Sequence, residues 1–249
     1  MPFSIALAGK GGTGKTTVAG LLIKYMISKG KTPILAVDAD ANANLNEVLG
    51  ATVTGTLGNA REEMKKGQVP NGMTKDVFMS MKMEEAIIEA EGYDLIVMGQ
   101  PEGAGCYCAA NTLLTGFLER LAVNYPYLVM DNEAGMEHIS RLTTRNVDIL
   151  LLVSDTSRRS LQAAVRIFHL AKELNIGFKK SYLIVNQSKN GLPESALEMI
   201  QREGVELAGL IPEDATIYDY DVNGRPTIDM PESAPSVKAA FELFEKILG

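Results

Sequence analysis

Several features that define whole classes of protein are scarce in this chain. Only two cysteines occur in 249 residues, and in a reducing compartment a structural disulfide between them is not expected, so the thiols are either inert core residues or chemistry. Positive charge is also short. The 24 Lys and Arg residues are outnumbered by 31 Asp and Glu, giving a formal net charge of −7 and a pI near 5.0. A non-specific grip on nucleic acid or on anionic membrane needs a dense cationic surface, so neither partner is expected. No apolar run approaches the length that spans a bilayer, and the opening MPFSIALAGKGG lacks the basic region, long apolar stretch and small-residue cleavage site of a signal peptide. A cytoplasmic location is expected. Linkers, repeats and low-complexity tracts are missing too. The chain therefore reads as one domain, 1–249, and its 46% apolar content is enough to bury one sizeable core.

What is present is a series of short apolar runs rich in Val, Ile and Leu: residues 3–8, 32–38, 93–99, 127–131, 148–155, 181–187 and 205–212. They are apolar at nearly every position, as strands buried on both faces must be. Amphipathic segments such as TTVAGLLIKYMISKG, SLQAAVRIFHLAKELN and SVKAAFELFEKIL lie between them, which suits right-handed crossover helices on both faces. The expected fold is α/β, a doubly wound, mainly parallel sheet flanked by helices. Residues 51–92 are less regular, Met-rich and punctuated by glycine, and two helices are expected there. The twelve methionines read first as gap-fillers in a core.

Directly after the first run comes Gly9-Lys10-Gly11-Gly12-Thr13-Gly14-Lys15-Thr16-Thr17, which fits G-x-x-x-x-G-K-[ST] and opens a helical pattern. Glycines let successive backbone N–H groups turn inward around phosphate oxygens. The helix N-terminus adds partial positive charge and Lys15 a full one. Thr16 can offer its hydroxyl to Mg2+. One lysine suffices for such a cradle, so Lys10 needs another role. The second run ends in Asp38-Ala39-Asp40, where carboxylates at a strand's carboxyl end face the ligand crevice of an open α/β sheet. YLVMD ends in Asp131, with Gly135 four residues on. Asp131 is the expected water-mediated Mg2+ ligand, and Gly135 leaves a backbone N–H free to approach a γ-phosphate.

The run KGGTGKTT resembles the deviant Walker A ATPases, the class of the nitrogenase iron protein and the cell-division and partition ATPases. That resemblance implies that Lys10 reaches across a face-to-face homodimer to the partner's nucleotide, making hydrolysis depend on nucleotide-dependent dimerisation. It implies that Asp38 positions or activates the attacking water and that Asp40 supports the Mg2+ shell or the switch. It places Asn186, at the end of SYLIVN, at the adenine edge, and Pro212 and Glu213 in the purine-flanking loop. No Asn-Lys-x-Asp motif follows Asn186, so ATP and ADP are the expected nucleotides.

The two cysteines, Cys106 and Cys108, lie two positions apart, a spacing that random placement gives roughly one time in a hundred. In an extended or turn conformation such residues point the same way, so two thiolates can converge on one soft metal ion. Two thiolates do not close a zinc site. The two histidines, His138 and His169, are distant in sequence, the latter in an amphipathic helix. A two-fold axis would instead bring both pairs together as four thiolates, suited to tetrahedral Zn2+ or more planar Ni2+. PEGAGCYCAAN together with MDNEAGMEH is similar to the maturation ATPases of carbon monoxide dehydrogenase and acetyl-CoA synthase, the CooC type. That narrower resemblance implies nickel as cargo and a nickel enzyme as acceptor. A partition or positioning ATPase and an iron-sulfur carrier ATPase stand as alternatives.

Overall fold

The structure is a computed structural model that describes residues 1–40, 42–99, 116–132 and 147–249. Among them eight strands form one sheet: β1 (Phe3–Gly9), β2 (Ile34–Ala39), β3 (Ile88–Ala90), β4 (Tyr93–Val97), β5 (Tyr127–Asn132), β6 (Val147–Ser154), β7 (Phe178–Ser188) and β8 (Leu207–Pro212). The order across the sheet is β3-β4-β2-β5-β1-β6-β7-β8. All neighbours are parallel except β3 with β4. The expected doubly wound α/β fold is therefore present. Its antiparallel edge strand β3 was not foreseen, because three residues, IEA, are too short to carry an alternation signal.

The helices whose two ends are described are α1 (Lys15–Ser28), α2 (Leu45–Leu49), α3 (Leu57–Lys65), α4 (Lys75–Glu85), α5 (Arg158–Glu173), α6 (Glu194–Arg202), α7 (Ala215–Val222) and α8 (Pro235–Leu248), and residues 116–122 are helical as well. The two helices expected within 51–92 are α3 and α4. Each starts at a threonine whose hydroxyl accepts from a backbone N–H in the first turn: Thr56 from Asn59 and Thr74 from Val77. In α5, Leu161, Ala164, Val165, Phe168 and Ala171 are buried, the i, i+3, i+4 spacing of a single apolar stripe. No helix among the described residues is long and apolar enough to cross a membrane.

Because successive side chains on a strand face opposite ways, the sheet divides the core in two. Ile5, Leu7, Ile34, Ala36, Leu95 and Val97 pack beneath α1, α2 and α8. Ala6, Ala8, Leu35, Val37, Ile96 and Met130 pack beneath α3, α4 and α5. Met79, Met83 and Met130 are buried there, with Met64 and Met98 against them, so these methionines fill core as expected. Burying a side chain such as Phe244 or Leu21 contributes about 2 kcal/mol. Chain order also sets the site. From β1 the chain runs outward through β2 and β4, returns to insert β5 between β2 and β1, and then crosses to β6. The carboxyl ends of β1, β5 and β2 are thus neighbours at the point where the winding reverses, where open α/β sheets bind ligands.

Candidate functional site

β1 delivers Gly9 to the top of the sheet. A Cβ at Gly9 would collide with the backbone oxygen of Val153 on β6, so only glycine lets β1 and β6 run this close. The following loop turns through Gly12 and Gly14, both at φ 81, a left-handed region that favours glycine. Thr13, fully buried, donates from Oγ1 to Lys10 O at 2.9 Å. Gly14 starts α1 with no side-chain cap, which leaves the first N–H groups of the helix to whatever the loop encircles. Lys15 is buried and its Nζ donates to Lys10 O at 3.3 Å. The side chain of Lys10 is exposed, as are Gly11 and Gly12, while Thr16 and Thr17 are half-buried in the first turn of α1.

Two carboxylates lie at this end of the sheet, and one of them, Asp131, meets the loop through Thr16. Pairing of β2 with β5 sets Asp38 directly beside Asp131, and β1 sets Leu7 beside Asp131 on the other flank. Burial pushes the Asp131 carboxyl up to about 7; the nearby acids Asp38 and Asp40 push the same way, while the Thr16 hydroxyl bonded to it and the Lys15 ammonium oppose. Its Oδ1 is buried with no hydrogen-bond partner among the described residues. A buried carboxylate oxygen with no partner of its own fits a cation, because Thr16 and Lys15 leave much of the group's desolvation uncompensated. Asp38 is also fully buried and is raised to about 6, by desolvation first, with Asp40 adding. Backbone N–H groups limit that rise: Asp40 N donates to Oδ1 at 3.1 Å and Leu45 N to Oδ2 at 2.9 Å. Asp38 thus also anchors the start of α2, a structural task the sequence pattern did not reveal. Asp40 is half-buried, and its Oδ1 accepts from Asn42 N at 2.8 Å.

Asn186, at the carboxyl end of β7, lies under the loop. Its Nδ2 donates to Thr13 O at 3.0 Å, and a Cβ on Gly14 would collide with it. Part of its amide is therefore spent on the phosphate loop itself. Beside it Gln187, at φ 56, reaches Gly12 O from Nε2 at 3.5 Å. Pro212 ends β8, and Glu213 N donates to Ser188 O at 3.1 Å, which ties this loop to the end of β7. Glu213 pairs with Lys189 at 3.1 Å. Asp214 then accepts from Thr216 N and from both N and Oγ of Ser236, so one carboxylate caps both α7 and α8.

Cys106, Cys108, Gly135 and His138 lie outside the described residues. His169, on α5, sits at the surface instead, with Nε2 3.1 Å from Glu203 Oε2. Among the described residues no group of three or more His, Cys, Asp or Glu side chains is arranged to hold a metal ion. Sequence reasoning missed Asn132, buried on β5, whose Nδ2 donates to Leu7 O at 2.9 Å and fastens the Asp131 strand end to β1. It also missed Gln187 and Asp214. Asn132 and Gln187 act on segments remote in sequence, and Asp214 adds to its local cap on Thr216 a second one at Ser236, which no local pattern signals.

A glycine-rich loop between a buried strand and a helix N-terminus, facing adjacent strand-end acids, defines a P-loop nucleotide-binding protein. Residues 4–228 match the CobQ/CobB/MinD/ParA nucleotide-binding domain, and the chain belongs to that family, as an ATPase of the MinD/ParA class. It is 43% identical to an uncharacterized ATP-binding protein of Methanocaldococcus jannaschii over 248 residues, 98% of each chain. It is 30% identical to the carbon monoxide dehydrogenase accessory protein CooC of Rhodospirillum rubrum over 244 residues, covering 91% of this chain and 89% of the relative. The fold is that of the septum site-determining protein MinD of Pyrococcus horikoshii, solved with Mg-ADP, at a TM-score of 0.72 and 23% identity over 100% of this chain and 96% of the other.

Proposed function

We propose that this ATPase is a metallochaperone that supports nickel insertion into carbon monoxide dehydrogenase or acetyl-CoA synthase. The observation that carries the proposal is the 30% identity to the accessory protein CooC along nearly the whole chain, joined to a sole pair of cysteines at C-x-C spacing. In this reading the loop from Gly9 to Thr17 holds the ATP phosphates, with Lys15 on the β- and γ-phosphates and Lys10 reaching the nucleotide of a second copy. Asp38 orients the water that attacks the γ-phosphorus, the bond to the β–γ bridging oxygen breaks, and ADP and phosphate leave. Asp40 supports that segment and Gly135 contacts the γ-phosphate. Asn186 divides its amide between Thr13 and the adenine edge, and Pro212 and Glu213 flank the purine.

Thr16 and Asp131 are the residues that would hold Mg2+, and the buried, unpartnered Oδ1 of Asp131 fits that role. When bound, the ion neutralises charge on the phosphate oxygens. The cargo is nickel, or zinc in its place, held by Cys106 and Cys108 from each of two copies, because two thiolates alone leave the coordination incomplete. The acidic balance of the chain argues against nucleic acid or membrane as partners, and the cytoplasm is the proposed location. Titration of Ni2+ and Zn2+ with and without ATP, read by native mass spectrometry, tests the proposal. One metal per dimer is expected, lost in Cys108→Ser with ATP binding kept. A full metal complement in that variant would remove the cysteines from the account, and a brown, cluster-type absorption after anaerobic purification would replace the nickel reading with an iron-sulfur one.

A further inference from the structure

Where β4 ends, one residue, Met98, is fastened through the peptide groups on both its sides. Asp38 of β2 pairs with Val97 of β4, and the ladder continues for one more rung, with Met98 N donating to Asp38 O at 2.9 Å. Met98 O then accepts from Gly58 N, in the first turn of α3, also at 2.9 Å. The next residue, Gly99, turns the chain at φ 65 and has no room for a side chain. A Cβ there would lie 2.7 Å from both Cβ and Oγ1 of Thr56 and 2.9 Å from Cγ2. Thr56 is not free to retreat, because its Oγ1 caps α3 by accepting from Asn59 N at 3.1 Å. Asp38 meanwhile holds its carboxylate in the nucleotide site through Asp40 N and Leu45 N. Its side chain thus lies beside Asp131 at the carboxyl end of the sheet while its backbone oxygen holds the exit of β4.

We propose that the chain Asp38–Met98–Gly58, locked by Gly99 against Thr56, is a relay that carries a shift of Asp38 to α3 and to the start of the segment bearing Cys106 and Cys108. The reason is mechanical. Met98 is bonded through both its N–H and its C=O, so it cannot tilt toward β2 without pulling on α3. A left-handed glycine wedged against a capping threonine removes the slack that would otherwise absorb the movement. Packed junctions of this kind switch between discrete arrangements instead of deforming smoothly. The inference rests on Asp38 belonging to the nucleotide site and not on the identity of the cargo.

Because Cys106 and Cys108 are the only thiols, their reactivity with 5,5′-dithiobis(2-nitrobenzoic acid) reports on the relay without any metal. For the wild type, labelling rates with and without MgATP are expected to differ about fivefold or more. In Gly99→Ala the two rates converge while affinity for MgADP stays within about threefold, since Gly99 does not contact the loop. Thr56→Ala, at a half-buried position where only the cap of α3 is lost, gives an intermediate ratio and serves if Gly99→Ala fails to fold. A folded Gly99→Ala or Thr56→Ala protein with the wild-type ratio overturns the relay, as does a wild type whose labelling ignores MgATP. Labelling that responds to MgATP in a protein that takes up no nickel supports the relay and removes the cargo reading.

Discussion

The two ends of the sheet treat the same residue type in opposite ways. At the amino end, Asp148 at the start of β6 is only slightly exposed, and burial alone would raise its carboxyl. Lys179 and the N–H and hydroxyl of Ser4 outweigh that burial, and the group is held below the usual carboxylate range. At the carboxyl end, Asp131 and Asp38 are buried as deeply or deeper, yet lie beside one another and are pushed up to about 7 and about 6. The first arrangement is complete within the protein and holds strands together. The second leaves Oδ1 of Asp131 without a partner among the described residues, to be met by something outside the protein, which is the physical mark of a binding site. Stability and function are thus partitioned along the strand axis.

The contrast breaks most sharply at Lys15. Lys15→Ala removes the cation that opposes the acids and the phosphate charge, and ATP turnover should fall by about a hundredfold or more in a phosphate-release assay. Next in size, Asp131→Asn should stabilise the nucleotide-free protein by about 1–3 kcal/mol at pH 8, read by urea unfolding, while Mg2+-dependent turnover is lost. Stabilisation and inactivation by one substitution would separate the two ends of the sheet. At the other end, Asp148→Ala should destabilise by about 1–3 kcal/mol, because Ser4 N loses its acceptor, with turnover per folded molecule unchanged.

A smaller effect sharpens the comparison through pH. Asp131 and Asp38 bind protons more tightly in the native chain than in the unfolded one, so they add stability that is complete below pH 4 and is lost as pH rises through about 6 and about 7. The melting temperature of the nucleotide-free protein should therefore rise as pH falls from 8 to 6, and Asp131→Asn should flatten that slope. Affinity for Mg2+ with ADP should move the opposite way, weakening as pH falls through about 7, because proton and cation compete for one carboxylate. A flat melting profile in the wild type would remove the raised acids from the account.

How far the site could be foreseen differs from residue to residue. Gly9 to Thr17 form a contiguous motif whose chemistry is local, so their loop is legible in the sequence alone. Asp38 and Asp131 were legible as strand-end acids but not as neighbours, since only the insertion of β5 between β2 and β1 puts them side by side. The structural half of Asp38, which anchors α2, was not legible at all. Asn186 was expected at a base, and its bond to Thr13 spans 173 residues of sequence. Strand β3 was missed because it is too short to show a period.

By itself the sequence determined the parallel α/β class, because strands buried on both faces must be apolar at nearly every position, and it determined the phosphate loop, because glycine, lysine and threonine act there through backbone and side chains a few residues apart. Only the tertiary structure decided which acids share the crevice, which amides hold the loop from below, and how the exit of β4 is fastened to α3. Those arrangements depend on strand order and register, which bring together residues that have no relation along the chain.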